Sequence, residues 1–288
     1  MSRHRAQTSH LSWAGTALLC GVTWLLSASA VPAQEARPGP ITPPPEHNVR
    51  RMGTEAKPEA PPPVPPEQII HKFSQKEDEF LTARARYGYH KTIRVQEFDD
   101  QGKVSGEFEV STEPVIGSDG KLYEKVVAGP PSTLRILRLE PEDLESLGRI
   151  PAFPLTTSQL SKYDLTYAGK EQVDEVNCYL FRVKPKVVER TRAYFEGLVW
   201  VEDQDLEVVR TYGKWVTELG EVHSPTLPFT LFDTYRENVE GKYWFPAYSR
   251  SDDSIRLKDG EVRVRLVIRW ADYKPLAAPV PAAPKPKS

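Results

Sequence analysis

The sequence predicts an α+β, mostly β fold. We expect one large curved antiparallel sheet, an incomplete barrel of about ten to eleven strands, with an N-terminal helix and a short helical lid insert on its concave face. Three observations predict it. Apolar residues recur at every second position in many separate segments between residues 87 and 274, the spacing of a strand with one buried face. Short turns rich in Asp, Asn and Gly separate those segments. Helical spacing opens the body and returns only briefly in the middle, so strands and helices never alternate as a parallel sheet requires.

Taken in order, Glu67–Arg84 places Ile69, Ile70, Phe73, Phe80 and Leu81 along one side of a helix, and Pro66 suits its first turn. The period then changes to two. Residues 87–98 and 104–111 read as a hairpin around the turn Asp99–Gly102, with Phe108 and Val110 on one face. Ser118–Gly120 is a further turn before a strand at Leu122–Ala128, and Leu134–Leu139 reads as the next strand. Pro141–Gly148 opens on Pro and acids and closes on Gly, the marks of a short helix. Thr157–Lys162 is a second, weaker helical turn. Strands resume at Tyr163–Tyr167, Val176–Lys184, Tyr194–Val201, Leu206–Val216, Phe229–Asn238 and Lys242–Arg250. The last strand is the clearest. Val262, Val264, Leu266, Ile268 and Trp270 alternate with a face that is largely arginine.

The flanks differ from this body. Arg3 and Arg5, the apolar run Leu11–Leu26 and the small residues Ser27–Ala33 describe a secretory signal over residues 1–33, with cleavage after Ala30 or, the favoured site, Ala33. The alternative is an uncleaved membrane anchor. Leu19 before Cys20 is too large for a lipidation site. Losing Arg3 and Arg5 takes the formal charge from −2 to −4. That near-neutral balance argues against a nucleic-acid partner. Residues 34–66 hold eleven prolines and residues 275–288 five, so they read as a disordered Pro-rich spacer and a disordered Pro/Ala/Lys tail around a domain at 67–274. Without the signal only Cys178 remains, so no internal disulfide holds the fold.

No constellation for catalysis stands out. There is no Gly-x-Ser-x-Gly elbow, His-Glu-x-x-His motif or phosphate loop. His71, His90 and His223 are far apart, without metal-ligand spacing. Asp99–Asp100 and Asp252–Asp253 read as turn residues. We therefore expect no enzyme, no cofactor and no metal. So few helical residues cannot fill the concave face of so many strands, and the leftover is an apolar cavity. Its candidate lining is Phe108, Val110, Leu134, Ile136, Leu144, Leu147, Phe181, Trp200, Phe245, Leu266, Ile268 and Trp270. Tyr243–Phe245 puts aromatic rings on both faces of its strand, so one ring faces away from that cavity.

Three segments carry a resemblance: Tyr179–Lys186, the Tyr-Phe-x-Gly-x-x-Trp-Val run of Tyr194–Glu202, and Lys242–Ala247. With the element order, they resemble the LolA/LolB-like periplasmic lipoprotein carriers, the related RseB/MucB domains and the secreted "outer membrane lipoprotein-sorting" proteins, over residues 67–274. The resemblance implies a monomeric periplasmic binder of an acyl lipid or of a lipoprotein's lipid anchor. It also implies a lid-gating arginine, which no motif here singles out among Arg135, Arg138 and Arg149. The alternative is an envelope-tethered module that meets a protein partner and transports no lipid.

Overall fold

The computed structural model describes residues 62–117, 122–140, 143, 147, 154–189, 192–217, 220–221, 227–258 and 260–276. The expectations for the signal, for most of the spacer and for all but the first two residues of the tail lie outside them.

Helix α1 spans Pro66–Arg84. Pro66 stands in its first turn, where the missing N–H would have had no partner. Its buried residues are Ile69, Phe73, Ser74, Glu77, Phe80 and Ala83, one stripe along the helix. Leu81, expected in that stripe, is instead exposed.

Among the described residues eleven strands follow: β1 Tyr87–Phe98, β2 Val104–Ile116, β3 Leu122–Ala128, β4 Tyr163–Val173, β5 Val176–Pro185, β6 Tyr194–Glu202, β7 Val208–Thr217, β8 Gly220–Glu221, β9 Leu231–Val239, β10 Tyr243–Leu257 and β11 Gly260–Pro275. They form one open antiparallel sheet in the order β3-β2-β1-β11-β10-β9-β7-β6-β5-β4, with the short β8 beside β7. A 3-10 helix at Thr157–Lys162 precedes β4, and the Thr157 hydroxyl donates to Asp78 of α1 at 2.6 Å.

The turn at Asp99–Gly102 forms as expected. The Asp99 carboxylate accepts the N–H groups of Gln101 and Lys103 at 3.0 and 2.8 Å, and Gly102 takes φ +79°.

Two expectations are corrected. Asp252 and Asp253 are not a turn but lie inside β10, opposite Arg265 and Val264. Asp252 pairs with Arg250 and Arg265, which compensates a carboxylate that would otherwise disfavour a strand. Leu134–Leu139 is not a strand. It is a strap bent at Arg135 and Ile136 with no ladder partner, and the N–H groups of Arg135, Ile136 and Leu137 go to one side chain. Of the expected helix at 141–148, Asp143 and Leu147 are described, and both are helical.

Register sorts the two faces. Val110, Ile93, Ile268, Ser249, Thr234, Thr211, Val199, Phe181 and Tyr167 stand opposite one another from β2 across to β4. Directly opposed residues share a face, so this row defines the helix face. One residue along, Leu180, Trp200, Arg210, Tyr235, Tyr248, Arg269 and Thr92 make the corresponding row of the far face.

On the helix face Gly197 and Gly213 oppose one another, and the Phe195 ring lies over both. A Cβ on Gly213 would meet that ring at 2.5 Å and a Cβ on Gly197 at 2.9 Å. The two glycines give the ring its place in the core.

Candidate functional site

The helix face carries two apolar wings with a polar seam between them. The first wing lies on β4, β5, β6 and β7. Ile69 and Phe73 of α1 pack there against Phe181, Val183, Phe195, Val199 and Val201. Further along the helix, Phe80 and Ala83 pack against Tyr87 and Phe245. Tyr243 stacks on Phe245 with ring centroids 5.5 Å apart, and Trp244 joins the far-face cluster, so this strand does present rings on both sides.

The second wing lies on β1, β2 and β11. Ile93, Val95, Val110, Val264, Leu266, Ile268 and Trp270 are its floor. Its cover comes from outside the sheet: Leu137, Leu147, Leu227 and Phe229. The strap reaches the wing by crossing β2. Thr133 donates its N–H to the Glu107 carbonyl at 2.8 Å, and its hydroxyl accepts the Glu107 N–H at 2.9 Å. The crossing is tight. A Cβ on Gly106 would sit 2.8 Å from the Thr133 carbonyl oxygen and 3.0 Å from the Leu134 Cα.

Beside it, the fully buried carboxylate of Glu97 accepts three consecutive backbone N–H groups: Arg135 at 2.8 Å, Ile136 at 2.8 Å and Leu137 at 2.6 Å. A carboxylate is acceptor-only and offers about four lone-pair sites, so one side chain supplies what a neighbouring strand would have supplied. Glu97 and Gly106 are opposed in the β1–β2 ladder, so anchor and clearance are built at one point.

The seam runs between the wings. Thr211, Thr234, Ser249 and Ser251 are all buried, and Thr234 and Ser249 share a hydrogen bond of 2.8 Å. The Ser251 hydroxyl and that of Ser74 on α1 have no hydrogen-bond partner among the described residues. Glu77 of α1 accepts two bonds from Arg236 of β9, at 2.6 and 2.8 Å, and both side chains are almost wholly buried. The Arg236 guanidinium also lies 4.2 Å from the Phe80 ring centroid. Near the same helix Glu207 stands 3.7 Å from Lys76. Burial lifts its carboxyl from the ordinary 4.5 to about 7, with Lys76 opposing the rise.

At the outer end of the second wing Lys91 is buried and pairs with Glu124 of β3, which also accepts bonds from Tyr89 and Thr112 at 3.0 and 3.1 Å. Burial pulls the Lys91 amine below its usual value, against the pull of Glu124.

Of the residues expected to line a cavity, Phe108, Val110, Leu134, Leu147, Leu266, Ile268 and Trp270 come together in the second wing. Ile136 is on the strap but faces outward, 41% exposed. Phe181 is in the first wing and Phe245 beneath the end of α1. Trp200 is on the far face. Its indole N–H donates to Glu171 at 2.7 Å and the Arg210 guanidinium lies 4.4 Å from its ring centroid. Leu144 lies outside the described residues. Sequence reading missed Glu97, Glu77, Arg236 and Ser251. Glu97 and Ser251 did occupy apolar-phase positions of alternating strands, a signal open to sequence reading.

The far face is closed by its own side chains. Arg210 is held by Asp233 through two bonds of 2.8 Å and lies between the rings of Trp200 and Tyr235, and Arg269 lies over Tyr248 at 5.0 Å. A surface pocket of about 320 Å³ at the β4–β5 end is lined by Lys170, Glu171, Gln172, Asn177, Cys178 and Asp203. Burial and neighbouring carboxylates push the Cys178 thiol up to about 12, which keeps it protonated and unreactive.

No family model and no curated protein matches the chain. Among solved structures it is similar to a DUF1329 family protein from Desulfovibrio piger, at 17% identity over 74% of this chain and 94% of that one, with a TM-score of 0.38. It is similar to a LolA superfamily protein from Nitrosomonas europaea, at 16% identity over 75% and 96%, with a TM-score of 0.35. A third is a putative outer membrane lipoprotein-sorting protein domain from Vibrio parahaemolyticus, at 10% identity over 70% and 91%, with a TM-score of 0.32.

Proposed function

We propose that this chain is a non-catalytic, monomeric binder of an acyl chain, either a free lipid or the lipid anchor of a lipoprotein. In this reading the chain lies between the strap and the apolar floor of the second wing. The observation that carries the reading is the attachment of that cover. The floor is a continuous apolar surface on three strands, yet the strap over it belongs to no helix or strand and is held by one carboxylate and the Thr133–Glu107 contacts. Such a cover can lift as a unit while the ladder of the sheet stays intact. The ligand then replaces Leu134 and Leu137 of the strap as partners of the floor, beside Leu147, Leu227 and Phe229, and burying each methylene contributes about 0.8 kcal/mol.

The basic start, apolar run and small-residue exit of residues 1–33 support export, and we place the working protein in the bacterial periplasm. The test is to purify the mature protein from its native envelope and analyse organic extracts by mass spectrometry. A stoichiometric acyl lipid, absent from a control protein carried through the same steps, is the expected result. A folded protein with no lipid above that control overturns the reading.

A further inference from the structure

We propose that Ser251 is the polar recognition residue of the ligand site, and that it selects an acyl chain by its ester or amide carbonyl. The proposal rests on the lipid-binding reading above and adds the chemistry of the ligand's polar end.

Ser251 is 1% exposed and sits on β10 directly opposite Leu266, a floor residue of the second wing. Leu266 in turn faces Val95 of β1, which faces Phe108 of β2. Register therefore puts the Ser251 side chain on the same face as that apolar row, at its border with the seam. Its neighbour two positions back, Ser249, has satisfied its hydroxyl with Thr234 at 2.8 Å, whereas the Ser251 hydroxyl has no partner among the described residues.

A buried hydroxyl without a partner costs about 1–3 kcal/mol, and such groups are few in folded proteins. At this position apolar side chains would satisfy the strand periodicity at no such cost. The hydroxyl is therefore a donor held in reserve at the edge of an apolar surface. An acyl chain laid along Leu266, Val95 and Phe108 offers one acceptor of the right kind, the carbonyl at its head. A hydrocarbon chain linked through an ether lacks that carbonyl. Discrimination by a buried donor is strong because the wrong ligand leaves the donor unpaired.

The experiment is competition binding on the mature full-length protein with two probes of equal chain length, a monoacylglycerol ester and the matching alkylglycerol ether. The wild type is expected to bind the ester about ten-fold more tightly than the ether, a ratio typical of one satisfied donor. Ser251→Ala is expected to bind the two equally, with its affinity for the ether undiminished, and Ser251→Thr to keep the preference. Equal binding of both probes by the wild type, or a preference that survives Ser251→Ala, overturns the proposal and leaves the lipid-binding reading standing. Binding of neither probe by the folded wild type overturns both.

Discussion

The two wings of the helix face are floors of the same kind under covers of different kinds. The first is covered by α1, which satisfies its own backbone and brings only side chains to the sheet. The second is covered by a strap that arrives with unpaired N–H groups and takes three acceptors from a single sheet residue, Glu97. Losing α1 means breaking a buried ion pair and withdrawing Ile69, Phe73 and Phe80 from the core. Losing the strap means re-exposing one carboxylate and three amides that water can satisfy. In the proposed function the cover that borrows its hydrogen bonds from the sheet is the one that leaves.

The largest expected effect belongs to the fixed cover. Arg236→Met leaves the Glu77 carboxylate buried and alone, and we expect a loss of about 3–5 kcal/mol in chemical denaturation. Adding Glu77→Leu should restore most of it, since an apolar pair of similar volume avoids the desolvation of both charges. If the single and double variants unfold at the same denaturant concentration, the ion pair does not hold α1.

The strap should respond differently. Glu97→Ala strands the amides of Arg135, Ile136 and Leu137, and we expect about 2 kcal/mol of loss confined to the strap. Hydrogen exchange should speed up at those three amides and at Leu147, while β5 and β6 keep their protection. Uniform acceleration across the sheet would show that the strap is part of the global fold, and the contrast between the wings would fall.

A third effect, similar in size, is a pH dependence next to α1. Glu207 prefers its protonated form when folded, with a pKa near 7 against the ordinary 4.5. The folded state therefore holds an extra proton between those values, and stability falls as pH rises from about 4.5 through about 7. Glu207→Gln should be neutral at pH 4 and stabilising at pH 8, on the order of 2 kcal/mol. Identical pH profiles of the midpoint for wild type and variant would remove Glu207 from the account.

Strands and helix were legible because their signals are local. Side chains of a strand alternate whatever the strand pairs with, so Val262–Trp270 declared its buried face without reference to its neighbours. The α1 stripe is equally local, though Leu81 shows that spacing gives the side of a helix more reliably than its edge. Strand ends were less legible. β10 runs through Asp252 and Asp253 because Arg250 and Arg265 lie beside Asp252, and that compensation comes partly from another strand.

Trp200 is expected in the cavity and instead stands on the far face. Parity along β6 puts it with Leu198, opposite Val199 and Val201, and only the position of α1 says which of those faces is the helix face.

The sequence by itself determined the antiparallel, mostly β architecture, the N-terminal helix and seven of the residues that gather in the second wing. Tertiary structure alone decided what covers them. Leu134–Leu139 is a short apolar run that reads as a strand, although its alternation breaks between Ile136 and Leu137. Its N–H groups went to Glu97, 38 to 40 residues earlier in the chain. A backbone donor takes the best acceptor within reach once the chain has folded, and reach is a property of three dimensions that periodicity does not encode.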